Sequence, residues 1–231
     1  LSVVPGKYLL DNLRNMLSMV NMPRGFLNSA IVSFSSTFLS IYFGAMTAFG
    51  LFVYKFKLKK VIYVILMVSM MVPGQLGIIG LFKLCNNLGL LNTYWPLILP
   101  CIANSSTIFF ILQYLQSSMS EELLDSARID GAGEVKIFHS FILPLSKPAL
   151  STMVIFNFVS YWNNFFNPMI LLFDDKKFTV PLLINNLNSG MLQDLGAKYS
   201  AIAISIVPII LVYCLISKRL TSGMMAGAIK S

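Results

Sequence analysis

The sequence predicts an all-α integral membrane protein, a polytopic bundle of helices. Three observations carry that prediction. Of 231 residues, 56% are hydrophobic and only 11% charged, where a soluble domain carries about 25% charged residues. Mean hydropathy is +0.76. The apolar residues fall in five runs, at 27–54, 61–82, 94–115, 149–173 and 199–217, each near the roughly 20 residues that a helix needs to cross a bilayer. The alternating pattern of a membrane barrel is absent, which leaves helices to satisfy the backbone in lipid.

Residues 1–26 precede the first run. Leu9, Leu10, Leu13, Leu17 and Val20 fall near helical spacing there, which predicts an amphipathic helix lying on the membrane or against the helix ends. The first run ends at Lys55, Lys57, Lys59 and Lys60, a cluster that the positive-inside rule places in the cytoplasm. That side also receives the loop around Arg128 and the tail after Ser217, for four, three and three basic residues. The other side receives three, one and three, in segments 1–26, 83–93 and 174–198. The N-terminus is therefore expected outside. No signal peptide pattern is present, so a sixth helix is expected before Leu1; the alternative is a five-span protein translocated tail-first. The expected organisation is an extracellular segment at 1–26, a membrane domain at 27–217 containing a cytoplasmic loop at 118–144, and a cytoplasmic tail at 218–231. The net charge of +8 is scattered between apolar runs, which argues for topology rather than nucleic acid.

The second run contains "MMVPGQLGIIG" at 70–80. Pro73 and Gly74 predict a kink or break there. The fourth run contains "YWNNFFNPMI" at 161–170. Asn163 and Asn167, four apart, are expected on one helical face. With Gln75, Tyr161 and Asn164 they form a candidate polar pathway for a hydroxylated solute. Gln113, Asn104 and Asn157 are further amides within runs. The competing reading is interhelical glue, since amides hydrogen-bond between helices in lipid. No run holds an internal acid or base, which argues against a proton relay or ion-coupled transport.

Cys85, Cys101 and Cys214 have neither metal nor disulfide spacing and read as packing residues. No acid, base, nucleophile or metal-ligand constellation is present for catalysis. No catalytic or metal-binding residue is assigned.

The 118–144 loop stands apart. Ser118-Met119-Ser120-Glu121 reads as a capping box. Glu121, Glu122 and Asp125 favour the positive end of the helix it opens. Leu123, Leu124 and Ala127 form an apolar stripe, Arg128 and Asp130 follow, and Gly131 with Gly133 closes the helix in a left-handed turn. A second helix is expected at about 134–141, leading to Leu143-Pro144. His139 is expected at the surface with no chemistry. The plain alternative is a solvated loop, but this segment is longer than most connections.

These residues carry a resemblance. Asp125-Ser126-Ala127, then Gly131, then Phe141-Ile142-Leu143-Pro144 resembles the EAA motif of permease subunits of ATP-binding-cassette (ABC) importers: Glu-Ala-Ala, three residues, Gly, nine residues, Ile-x-Leu-Pro. Asp125, Ser126 and Phe141 depart mildly from it, and Ser120 stands where proline is common. "ARIDGA", "LPLSKPAL", "MMVPGQ", "LGLLNTYWPLILP", "YWNNFFNP" and "GMMAGAIKS" extend the likeness along the chain. They resemble the carbohydrate branch, and within it the smaller permease subunit of maltose-type systems.

The resemblance implies a bundle of the type I importer permease kind in the bacterial inner or plasma membrane. It implies a second homologous permease, an ABC ATPase dimer and an extracellular solute-binding protein as partners. The 118–144 loop would be the coupling helix seated on the ATPase. ATP and Mg would bind that ATPase, and this chain, which lacks a phosphate loop, would bind no cofactor. The cargo would be a sugar or oligosaccharide, or alternatively a small solute such as a glycerol-phosphate-like compound. A channel is the reading from another class, but a channel needs no organised coupling loop.

Overall fold

The computed structural model describes residues 8–187 and 194–228. Residues 1–7, 188–193 and 229–231 lie outside it, as do the side chains of Glu121 and of residues 218–228. Of the tail at 218–231, the backbone of 218–228 is described, as helix.

The described chain is helical, with no strand. α1 (Leu9–Met19) turns its one buried residue, Met16, inward. It lies against the helix Leu195–Ser205, at whose start Asn15 Nδ2 donates to Asp194 Oδ2 at 3.0 Å. α2 (Met22–Val53) begins at Asn21, whose side chain accepts from the Arg24 N–H at 3.1 Å. The helix therefore begins five residues before the apolar run at 27–54. α3 (Lys59–Met71) stops before Pro73, a short turn at Gly74–Gly77 follows, and α4 (Ile78–Asn87) leaves at 97° to α3. Of the expected kink or break, the structure has the break. Proline restricts the residue before it to extended backbone, and Val72 is extended with ψ 123°.

Two short helical turns, Trp95–Ile98 and Leu99–Ala103, lead into α5 (Ser105–Ser118). Its cap is Asn104, which accepts from Thr107 N at 3.0 Å. The loop contributes α6 (Glu121–Ile129) and α7 (Glu134–Leu145), and α8 (Lys147–Trp162) departs from α7 at 77°. α9 (Phe166–Leu171), α10 (Val180–Asn186), α11 (Leu195–Ser205) and α12 (Val207–Ala228) complete the chain. Pro208 interrupts the helical ladder between α11 and α12. Trp162 Nε1 donates to the Ser205 carbonyl beside that break at 3.0 Å.

By length and composition, Met22–Val53, Trp95–Ser118 and Leu195–Ser217 can cross a membrane, and up to five spans result if each bent pair counts as one. The fourth run differs from expectation. It was expected to be helical through residue 173, but α8 ends at Trp162. Pro168 lacks an N–H, and its ring excludes the carbonyl four residues back, so one helix cannot continue from 164 through 168.

α2 is the spine. Near one end Val32 joins a core with Met16, Leu97, Phe158, Trp162, Val180 and Ala197. Toward the other, Ala45, Ala48, Phe49 and Phe52 pack with Ile111, Leu115, Leu124 and Phe138. Between them lies a buried polar layer. Asn157 Nδ2 donates to Ser40 Oγ at 3.1 Å and to Thr107 Oγ1 at 2.9 Å, joining α8, α2 and α5. For Asn157 the interhelical-glue reading describes the geometry.

Candidate functional site

The 118–144 loop is a folded hook. α5 runs through Ser118, so no capping box forms from that residue; Ser118 Oγ pairs with Ser117 Oγ instead. Ser120 caps α6 by position, with no side-chain hydrogen bond. At the far end the chain closes as a Schellman motif. Ala132 N donates to Ala127 O and Gly131 N to Arg128 O, both at 3.0 Å. Gly131 has φ +79°, the left-handed conformation expected of it, and Asp130 is the cap. Ser126 Oγ turns back on Glu122 O at 3.0 Å.

The expected apolar stripe is split. Leu124 is 1% exposed and Ala127 5%, packed into the bundle's own core, while Leu123 is 43% exposed. Burying a leucine contributes about 1.5–3 kcal/mol, so the inward face fastens the hook to its own chain. Leu123 is joined as an exposed apolar side chain of the hook by Ile129, 87% exposed, and Val135, 74% exposed. The sequence reading passed over Ile129 and Val135 because they lie on either side of the glycine turn, outside any single helical period.

The charges close the hook. Arg128 Nη1 donates to Asp125 Oδ1 and its Nε to Glu134 Oε1, each at 2.9 Å. Tyr54, the cap of α2, donates its hydroxyl to Glu134 Oε2 at 2.7 Å. The Arg128 guanidinium, and secondarily the Tyr54 hydroxyl, hold the Glu134 carboxyl below its ordinary range, while the bond to Glu134 pushes the Tyr54 phenol up. Glu134 is a site residue that sequence reasoning missed. Its opposite charge across the turn from Arg128 was the available signal; Tyr54, 80 residues away, gave none. His139 is exposed, as expected, and it is also engaged: Val135 O lies 2.9 Å from Nδ1 and Tyr42 Oη 3.2 Å from Nε2. Leu143 and Pro144 lie just beyond the π-helical turn Phe138–Ile142.

The pathway residues do not share one face. Asn163 is the exposed cap of α8, Asn164 Oδ1 accepts from Asn167 N at 3.2 Å to start α9, and Asn167 lies on that next helix. Pro168 is the reason, as above. Tyr161 accepts from Asn104 Nδ2 at 2.9 Å. Tyr161 and Asn164 border a cleft of only about 10 Å³, room for a single water at most. Gln75 is exposed in the Gly74–Gly77 turn, and Gln113, also exposed, pairs with Tyr63 and Gln116. Cys85 is buried, as a packing residue should be, whereas Cys214 is exposed. Among the described residues no His, Cys, Asp and Glu group could hold a metal.

Comparison with known proteins agrees with this architecture. The family described as "Binding-protein-dependent transport system inner membrane component" matches residues 40–225. The arabinooligosaccharides transport system permease protein AraQ of Bacillus subtilis (strain 168) is 36% identical over 89% of this chain and 73% of its own. The diacetylchitobiose uptake system permease protein NgcG of Streptomyces coelicolor is 32% identical over 98% of this chain and 76% of its own. A chain from the crystal structure of a bacterial ABC transporter involved in the import of the acidic polysaccharide alginate superposes with a TM-score of 0.77, at 23% identity, over 90% of this chain and 78% of that one. The protein is thus a transport subunit rather than an enzyme, and it belongs to the family of binding-protein-dependent transport system inner membrane components, the membrane permeases that work with the other components of ABC importers.

Proposed function

We propose that this chain is one of two different permease subunits of an ATP-driven carbohydrate importer in the bacterial inner or plasma membrane. The partners are a homologous permease, an ATPase dimer that binds ATP and Mg, and an extracellular solute-binding protein. The hook at 118–144 faces the cytoplasm and seats on the ATPase. The cargo class is supported by relatives named for arabinooligosaccharides, diacetylchitobiose and lactose.

One observation carries the coupling role: the hook turns Leu124 and Ala127 into its own bundle and leaves Leu123, Ile129 and Val135 outward. A connection gains nothing from three large apolar side chains turned to solvent, whereas a docking surface does. The broken segment at Gly74–Gly77 supports a pathway shared with the second permease. Irregular backbone at membrane depth is tolerated where it meets protein or a watery cavity, and this turn is exposed on the chain's own surface.

Two measurements test this. First, Lys57→Cys and Lys176→Cys are probed with an impermeant thiol reagent on intact cells; labelling at 176 alone is expected, and labelling at 57 alone reverses the topology. Second, the tagged permease is purified from cells co-expressing its neighbouring ABC subunits. Ile129→Asp with Val135→Asp should release the ATPase while the two permeases stay together. Retention of the ATPase by that double variant removes the docking role.

A further inference from the structure

We infer that Tyr54, Arg128 and Glu134 are positioning residues that fasten the hook to the end of α2, so that α2, rather than the helix the hook runs into, carries the hook's displacement across the membrane. The inference rests on the coupling role proposed above and concerns which element receives the movement.

The covalent route is a poor lever. α7 contains a π-helical turn at Phe138–Ile142, Pro144 follows within two residues, and α8 departs at 77°. Proline and π-turns are where helices bend. A push on α6 that had only this route would be absorbed there.

The non-covalent route is stiffer. The Glu134 carboxylate gathers three elements. Arg128 of α6 donates to it through Nε at 2.9 Å and Nη2 at 3.4 Å, and Tyr54 at the cap of α2 donates at 2.7 Å, while Glu134 itself opens α7. Beneath this clasp Phe49 of α2 lies 5.8 Å from Phe138 and 6.2 Å from Tyr54, ring centre to ring centre. Tyr42, further along α2, meets His139.

α2 then runs without interruption for 32 residues, about 48 Å at 1.5 Å per residue. Its opposite end is also pinned. Asn28 Nδ2 donates to the carbonyls of Lys176 and Phe178, each at 2.9 Å, Arg24 Nε donates to the Lys176 carbonyl at 3.2 Å, and Ser29 Oγ accepts from Val180 N at 2.8 Å. A continuous rod hydrogen-bonded at both ends can pass a rigid-body movement from the hook to the 174–180 segment.

The test needs no knowledge of the sugar. The full transporter is purified with its ATPase into nanodiscs, with Cys85, Cys101 and Cys214 replaced by alanine and a reporter thiol placed by Lys176→Cys, which leaves the bonded carbonyl in place. Maleimide labelling of that thiol is timed with and without ATP and orthovanadate. In the parent, nucleotide should change the rate several-fold. Tyr54→Phe, which removes one hydroxyl and keeps the ring, should cut that response to less than half, with the ATPase still bound and the rate without nucleotide unchanged. Glu134→Ala should do the same more strongly. Ser205→Ala, which removes a hydrogen bond internal to α11 and away from the hook, should leave the response intact. A full response in both Tyr54→Phe and Glu134→Ala overturns the clasp and returns the movement to α8. A parent that retains no ATPase overturns the coupling role itself, and is told apart by the pull-down.

Discussion

α2 and the α3–α4 pair are both apolar enough to cross a membrane, yet α2 buries many of its residues and the pair almost none. α2 turns Asn28, Ser29, Ser33, Ser36, Thr37, Ser40, Gly44, Ala45 and Ala48 inward and leaves Phe34 and Phe38 outside. α3 buries only Leu66 and α4 only Cys85, while Ile65, Val68, Met71 and Ile79 are exposed. In lipid the inside offers no hydrophobic gain, so close backbone approach and hydrogen bonds decide what is interior. Within α2 the small and polar residues lie inward beside large ones such as Val32, Phe49 and Phe52, whereas α3 and α4 leave large apolar side chains exposed.

The sharpest way to break this comparison is by size. A side chain on Gly44 would begin 2.9 Å from Thr107 Cγ2, and overfilling a packed contact costs about 1–3 kcal/mol or more. Gly44→Leu should abolish accumulation of folded subunit in membranes, read by detergent-resistant yield. Gly80→Leu, where an added Cβ meets nothing within 4 Å, should accumulate normally. Equal yields would mean that α2 is no more interior than α4.

A smaller effect separates the amides. Asn157→Ala removes both of its hydrogen bonds from the buried layer, leaving Ser40 and Thr107 paired at 3.2 Å. Interhelical hydrogen bonds in membranes are worth about 0.6–2 kcal/mol. The thermal midpoint of the purified complex should fall by a few degrees. Asn163→Ala, at an exposed cap, should leave the midpoint alone, so that any loss it causes appears in uptake. A fall of equal size in both would make the two amides alike.

Gly131 comes next. Its φ of +79° costs an ordinary L-residue about 1–2 kcal/mol, too little to unfold the bundle. Gly131→Val should keep the permeases assembled and lower binding-protein-stimulated ATP hydrolysis. Unchanged stimulation would show that the turn tolerates strain without misplacing the hook.

The smallest effect is acid sensitivity. Arg128 holds the Glu134 carboxyl below its ordinary value. A carboxyl lowered in the folded state stabilises above its unfolded value, near pH 4, and that stabilisation is lost as pH falls through the folded value. Limited proteolysis at residues 129–135 should be flat from pH 8 to 6 and rise only in acid. Glu134→Gln should remove the acid step; a step that persists belongs to another group.

How far the sequence was readable depended on range. The long runs, the break at Pro73 and the glycine turn at 131 are local, and each has its cause within a few residues. Pro168 is equally local, but the unbroken apolar run around it masks its missing N–H, and only the observed end of α8 at Trp162 separates Asn163 from Asn167. The start of α6 slipped for a similar reason: Ser118 and Ser120 both fit a cap, and only the observed end of α5 at Ser118 decides between them. Leu123 and Leu124 are adjacent and chemically identical, so only the direction of the neighbouring bundle separates outward from inward. Tyr54 and Glu134 meet across 80 residues, a relation no periodicity encodes.

Gly131 has a consequence that belongs to stereochemistry. Nothing lies within 4 Å of where its Cβ would stand, so the space around it is open and the objection to a side chain is its chirality. A left-handed backbone is strained for an L-residue and natural for its mirror image. D-alanine introduced at 131 by semisynthesis should therefore leave the hook, its clasp and its coupling as they are, whereas L-alanine should not. At this one position what the fold demands is a handedness, and glycine serves because it has none.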